Sequence, residues 1–210
     1  FIPFESAEFT ITTISNNETF TIWNHGMNAK IDWGDGNGFI NDPNTGSPYA
    51  STTPQFTYAT QGTYTIKIME AAGETFNGFR FGWGHQYKNR SGWRVQSLVS
   101  WGTSPVTNFS QAFDRSINLT TIPVDANGHA ATPSFSSATS MDNVFTQTGL
   151  TTVDMRNWDP SLAPSVTNIA NMFGNTAGFA GNGLDQWDVS NITNMTGFVG
   201  GNTANTVFNA

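Results

Sequence analysis

Val166-Thr167-Asn168-Ile169-Ala170-Asn171-Met172-Phe173 is a phrase that the chain writes four times. The same frame reads Val106-Thr107-Asn108-Phe109-Ser110-Gln111-Ala112-Phe113, then Ala138-Thr139-Ser140-Met141-Asp142-Asn143-Val144-Phe145, and finally Ile192-Thr193-Asn194-Met195-Thr196-Gly197-Phe198-Val199. Such self-similarity says how the core is built, because one unit is too small to bury its apolar face alone and must stack on its neighbours. Successive units start 32, 28 and 26 residues apart, so the basal repeat is near 26 residues. The surplus, placed in residues 123–133 and 159–164, is expected to form loops on the edge of the stack.

Within each unit the apolar positions fall at i, i+3, i+6 and i+7, which predicts a short helix of about two turns with Thr167 capping its start. Thr107, Thr139 and Thr193 are the equivalent caps. Before each phrase lies a short β-compatible segment: Leu98-Val99-Ser100-Trp101, Leu119-Thr120-Thr121-Ile122, Leu150-Thr151-Thr152-Val153 and Leu184-Asp185-Gln186-Trp187. Stacked in parallel, these segments and helices would form an α/β leucine-rich-repeat-like solenoid of about four short repeats over residues 91–210. Phe113, Phe145, Phe173 and Val199 would make one core column, and Phe109, Met141, Ile169 and Met195 a second.

The first ninety residues follow a different rule. Glu8 to Ile14, Phe20 to Trp23, Ala29 to Trp33 and Gly62 to Ile68 alternate with period two and are rich in β-branched and aromatic residues, which predicts short strands of a small antiparallel β-sandwich. Thr75 to Phe81 is a candidate last strand. Turn clusters separate the strands, among them Gly34-Asp35-Gly36-Asn37-Gly38. Asp32, Asp35 and Asp42, with Asn37 and Asn41, are oxygen ligands close enough in sequence to be weighed as a calcium site. Asp-Gly is equally a tight-turn dipeptide whose carboxylate bonds its own backbone, and the spacing departs from the twelve-residue calcium loop. Trp83, His85, Tyr87 and Trp93 form an aromatic cluster at the seam, read either as a stacking surface for a sugar ring or as the cap of the first repeat.

Two family resemblances rest on these residues. Ile31-Asp32-Trp33-Gly34-Asp35-Gly36, followed by Tyr58 and Gly62-Thr63-Tyr64-Thr65-Ile66, resembles the polycystic-kidney-disease-type (PKD) domain over residues 8–69, with Phe56 where that pattern usually has His. The resemblance implies an immunoglobulin-like sandwich used as a spacer or binding module. Trp187-Asp188-Val189-Ser190-Asn191-Ile192-Thr193-Asn194-Met195 is similar to the core of the BspA-like leucine-rich repeat of bacterial surface proteins, and Trp158-Asp159-Pro160 with Val166-Thr167-Asn168-Ile169 gives the same phrase with an insertion. This second likeness covers residues 93–200. It departs from the pattern in lacking the Asp of units one and two, and in Gly197 and Val199 of the last unit. It implies a surface-exposed or secreted recognition protein with no catalytic residues to carry over. The expected domains are therefore 1–90, PKD-like, and 91–210, BspA-like.

Charged residues are 11% of the chain and the formal net charge is −7, so solubility rests on Asn, Thr, Ser, Gln and Gly. A chain with eight Lys and Arg has no basic patch for nucleic acid or anionic lipid, and no apolar run approaches the ~20 residues that cross a bilayer. There is no cysteine for a disulfide or a thiolate metal site, and no cofactor motif occurs. His25, His85 and His129 lie in unrelated contexts, and all five glutamates lie at or before Glu74. A glycosidase would have to use Asp114, Asp142 or Asp188, which read first as turn aspartates. Six Asn-x-Ser/Thr sites, at Asn17, Asn89, Asn108, Asn118, Asn191 and Asn194, follow from the abundance of those residues. The expectation is a non-enzymatic protein of the extracellular space, a cell surface or a virion surface, whose partner is a protein or glycan. The alternative is a structural or decoration protein of a virion, fibre or filament. An uncapped C-terminal repeat is the expected contact for a homo-oligomer or larger assembly.

Overall fold

The computed structural model describes residues 6–24, 26–50, 53–71, 77–81, 91–103 and 105–201. It is rich in β-structure, and the regular helical elements among these residues are four turns of 3-10 helix. β1 (Ala7–Thr12), β4 (Ala29–Asp32), β6 (Thr63–Glu70) and β8 (Val95–Trp101) form an antiparallel sheet in the order β4-β6-β1-β8. β2 (Glu18–Thr21) pairs with β5 (Gln55–Tyr58), and β3 (Trp23–Asn24) with β7 (Phe79–Arg80).

Period-two patterning explains the central sheet. Ala7, Phe9 and Ile11 of β1 turn inward while Glu8, Thr10 and Thr12 alternate outward. The Trp33-Gly34 turn is locked from two directions. Tyr58 donates its hydroxyl to the Trp33 carbonyl at 2.7 Å, and Phe56 stacks on the Trp33 ring at 5.6 Å. Gly34 has φ +74, and a Cβ there would lie 2.5 Å from the Thr65 carbonyl oxygen, so no other residue fits without moving β6.

The repeats depart from the expected helices. No α-helix occurs among the described residues of the array, and each phrase is instead a run of tight turns. In the third unit Met172 N–H donates to Ile169, Gly174 to Asn171 and Thr176 to Phe173, each closing a four-residue turn. The intervening amides leave the unit: Ile169 donates to Asn194, Asn171 to Thr196, Phe173 to Phe198 and Asn175 to Gly200, at 2.7–3.0 Å. The second unit sends Asn143, Phe145 and Gln147 to Ala170, Met172 and Gly174, and the first sends Phe109, Gln111, Phe113 and Arg115 to Ser140, Asp142, Val144 and Thr146. Each unit is thus a rung bonded to the next.

A helix is excluded because two positions in every rung are left-handed. Gln111, Asn143, Asn171 and Gly197 occupy the first position, with φ between 52 and 64; Arg115, Gln147, Asn175 and Gly201 occupy the second. A left-handed residue at the third place of a turn swings the following amide back across the chain, as in a type II turn. Asn and Gly are the residues that tolerate it most readily. Gly197, read from the sequence as a departure, is therefore the least strained residue at its position. A Cβ there would also meet Asn171 Oδ1 at 2.2 Å.

The threonines do not cap helices. Thr139 and Thr193 donate their hydroxyls to the carbonyls of Thr107 and Thr167, tying each rung to the preceding one, and Thr107 donates to that of Asn77, tying the first rung to the segment before β7. Turn capping falls to the next residue: Asn108, Asn168 and Asn194 accept the amides of Ser110, Ala170 and Thr196 on their side-chain oxygens. The expected parallel ladder of β-segments is partial. Thr121 bridges Ser97 of β8 and Gly149 bonds Leu119, but Leu184–Gln186 is a 3-10 turn. Phe179, whose neighbour Ala180 donates to Thr151, is buried as Leu119 and Leu150 are.

One apolar core runs through sheet and array. Phe81, Phe113, Phe145 and Phe173 stack along it with centroids 5.6–5.8 Å apart. Phe109, Met141 and Ile169 fill the second column, but Met195 is 41% exposed and does not extend it. Trp158 is fully buried and touches the rings of Trp101, Phe109, Phe135 and Phe145. Its indole N–H and that of Trp101 both donate to the Ala131 carbonyl. β8 belongs by sequence to the expected 91–210 unit, yet it completes the sheet of the first ninety residues by pairing with β1.

Two stability changes follow, both read by urea unfolding. Asn171→Gly is expected to be close to neutral and Asn171→Ala to cost about 1 kcal/mol more, from the left-handed backbone; equal losses would show that this backbone is not what the position demands. Trp158→Ala is expected to cost about 3–5 kcal/mol, as for a large core aromatic, and a loss below 1 kcal/mol would contradict its central place.

Candidate recognition surface

The rungs present an outward face built by alternation. Val106, Ala138 and Val166 are buried, so the residues on either side of each point outward. Ser137, Ser165 and Asn191 form one exposed column, and Thr139, Thr167 and Thr193 a second. Each Thr hydroxyl that donates back to the preceding rung has its rotamer set by that bond. No charged residue stands in either column.

The two insertions meet beside this face. Thr132 and Pro133 from the first, Leu162 from the second, and Ser134, Phe135 and Ser136 line a shallow, open depression. The second insertion is shaped by Asp159, whose carboxylate accepts the Ser161 amide at the start of the Pro160–Leu162 turn. That turn puts Leu162 outside, 56% exposed. The same Asp159 oxygen also accepts the Asp188 amide of the next unit.

A charged cluster occupies another stretch of loop. Asp125 accepts the Asn157 side-chain amide and the backbone amides of His129 and Asn127. These bonds, that from Asn157 foremost, hold its carboxyl down at about 2. His129 Nδ1 lies 3.3 Å from Asp125, and Arg156 grips Asp154 through Nε and a terminal nitrogen, depressing the Asp154 carboxyl in turn. Every one of these groups is engaged within the loop, which makes the cluster a brace.

The carboxylates weighed for catalysis are not brought together. Asp114 is half-buried beside Arg115, whose Nε is 4.0 Å away. Asp142 accepts from Ser110, Ser140 and Asn143, and Asp188 from the Ser190 amide, as a turn aspartate does. Asp32, Asp35 and Asp42 each accept the backbone amide two residues ahead, from Gly34, Asn37 and Asn44. No three carboxylates or imidazoles among the described residues come together as a metal-binding group. Trp83, His85 and Tyr87 lie outside the described residues, as do His25 and His85 among the histidines. Trp93 is half-buried in the Ser91–Arg94 turn, where its carbonyl accepts from Asn118. No helix among the described residues is long and apolar enough to cross a membrane.

Leu162 was not singled out by sequence reasoning, and the turn-capping role of Asn108, Asn168 and Asn194 was not read from it. The recurrence of Asn directly after Thr carried the second signal; nothing in the repeat marks Leu162, because it sits in an insertion.

Burial raises the Asp114 carboxyl to about 6 from its ordinary 3.8. The folded chain therefore holds this proton more tightly than the unfolded chain, and stability rises as pH falls from about 7 to about 4. The gain is of order 2 kcal/mol. Asp114→Asn is expected to flatten that part of the pH–stability profile, measured by urea unfolding; an unchanged slope would place the titration elsewhere.

Comparison with known proteins bears on the array. No curated protein and no solved structure matches the chain. A family model described as "Mycoplasma protein of unknown function, DUF285" matches residues 85–209, more than half of the sequence and nearly the whole array. The chain belongs to this DUF285 family.

Proposed function

We propose that the chain is a non-enzymatic recognition protein, acting outside the cell on a cell or virion surface, that binds a protein or glycan through the side face of its array. In this reading residues 1–90 are a PKD-like sandwich, and residues 91–210 are a BspA-like solenoid whose rungs are turns. The carrying observation is the convergence of the two insertion loops around exposed Leu162, beside two uncharged columns of Ser, Thr and Asn. An apolar contact ringed by hydrogen-bonding groups of fixed geometry suits a protein epitope or a sugar face. The scarcity of charge argues against nucleic acid as the partner.

Removing the array is a poor test, because β8 pairs with β1 and the core is continuous. Leu162→Asp and Thr167→Lys change exposed side chains and leave the rungs intact. In the full chain, each is expected to reduce attachment to intact cells or to a glycan array by about ten-fold or more, the loss typical of a central contact residue. Undiminished attachment by both variants, or no attachment by the parent chain, would defeat the proposal.

A second reading, a structural or decoration protein of a virion, fibre or filament, draws on one observation: Met195 is 41% exposed where its column mates are buried. Native mass measurement separates the two, since a monomer at working concentration counts against assembly.

A further inference from the structure

The last rung differs from the others in its backbone. In rungs one to three, alternate amides donate to the rung that follows. In the fourth, the amides at the same places belong to Met195, Gly197, Val199 and Gly201, and none of the four has an acceptor among the described residues. Their neighbours are engaged: Thr196 donates to Asn194, Phe198 to Met195 and Gly200 to Gly197. At the threonine corner the direction reverses, for Thr139 and Thr193 each donate amide and hydroxyl to the preceding threonine's carbonyl. The carbonyl that would continue this series is that of Thr193.

We infer that this end of the array is a backbone-recognition edge competent to bind, in trans, one further rung of the same repeat. The edge offers four amides at alternate residues and one carbonyl at the corner. Its complement is a rung with carbonyls at alternate residues and a Thr amide and hydroxyl at the corner, as the fourth rung presents to the third. Side chains agree with backbone: Met195 at 41% exposure and half-buried Val199 stand at the ends of the two apolar columns. A second copy of the chain does not meet these demands. Two-fold pairing of last rungs would set donors against donors. Head-to-tail stacking needs the acceptor side of a first rung, where Phe81 already donates to Ala112 and Asn77 already accepts from Thr107 and Asn108. The mode is strand addition, with affinity from main-chain bonds and selectivity from side-chain columns. It uses a different surface from the proposed side face and stands without it.

The experiment uses the full chain, isotopically labelled, with a synthetic peptide of the sequence of residues 158–179, which carries the third rung. In the free chain the amides of 195, 197, 199 and 201 are expected to exchange with solvent faster than those of 169, 171, 173 and 175. Saturating peptide is expected to slow the first set by about ten-fold or more, and a scrambled peptide to leave it unchanged. Met195→Pro removes one donor at a position whose amide has no internal acceptor, and Met195→Lys keeps the donor but puts a charge on the apolar column. Each is expected to weaken peptide binding by about ten-fold, while Leu162→Asp leaves it unaltered. Slow exchange of the four amides without peptide overturns the inference, since the chain then covers its own edge. It is also overturned if peptide binds without slowing them, fails to bind, or binds both Met195 variants as tightly as the parent. Slowing that follows the chain's own concentration would assign the edge to self-association instead.

Discussion

The array depends on a division of labour among backbone amides. Along the first three rungs one amide closes a turn within the unit and the next reaches the following unit, so the same short stretch makes its own shape and its own stacking. A helix spends its interior amides internally and must stack through side chains alone. Each inter-rung bond contributes about 1 kcal/mol net, and three or four of them join each successive pair of rungs. The cost is a left-handed residue twice per rung, which Asn, Gln, Arg and Gly bear at these positions. Fixed rungs then set the rings in register: Phe113 and Phe145 lie within 7° of parallel, and Phe145 and Phe173 within 13°.

The same division explains what was legible in the sequence. Repeat register, the buried Phe, Met and Ile positions and the location of the insertions all follow from apolar spacing, and spacing is preserved whatever the backbone does between apolar residues. The helix was misread because a turn closing over three residues brings i, i+3 and i+6 to one side just as a helix does. The discriminating signal lay in the polar positions. Gln111, Asn143, Asn171 and Gly197 share only tolerance of positive φ, and a second such series follows four residues on. Thr107, Thr139 and Thr193 were rightly seen as non-core, yet their bonds run out of their own unit, which a single unit cannot reveal. Of the candidate site, the uncharged columns were implicit in the composition, whereas the meeting of residues 132–136 with Leu162 depends on how two insertions of different length fold back.

The sheet and the array are mechanically one body around β8. Its buried residues Val95, Leu98 and Trp101 serve the common core, its amides pair with β1, and Leu98 N–H bonds Thr121 of the array. β7 plays the matching part on the other side, pairing with β3 while Phe81 donates to Ala112. The Trp33, Phe56 and Tyr58 cluster stiffens the far turn of this sheet and takes no part in the seam. A partner held on the side face would therefore act on the sheet through packed strands rather than through a linker.

Direction is the last consequence. Every turn-side bond between rungs points from the earlier unit to the later one, and the backbone dipoles add along the stack as they do along a helix axis. The threonine bonds oppose them at one corner, and the bonds from Gly149 to Leu119 and from Ala180 to Thr151 oppose them along the segment before each rung. The stack therefore has unlike ends. At the first, Asn77 and Phe81 meet the opening rung with both an acceptor and a donor, matching its mixed edge. At the second, the polarity persists through Gly201, and the glycines at 197 and 201 let the previous rung's Asn171 and Asn175 side chains lie where a Cβ would stand. A surface so directional discriminates among partners by backbone orientation before any side chain is read, and it admits a parallel rung while rejecting its mirror placement.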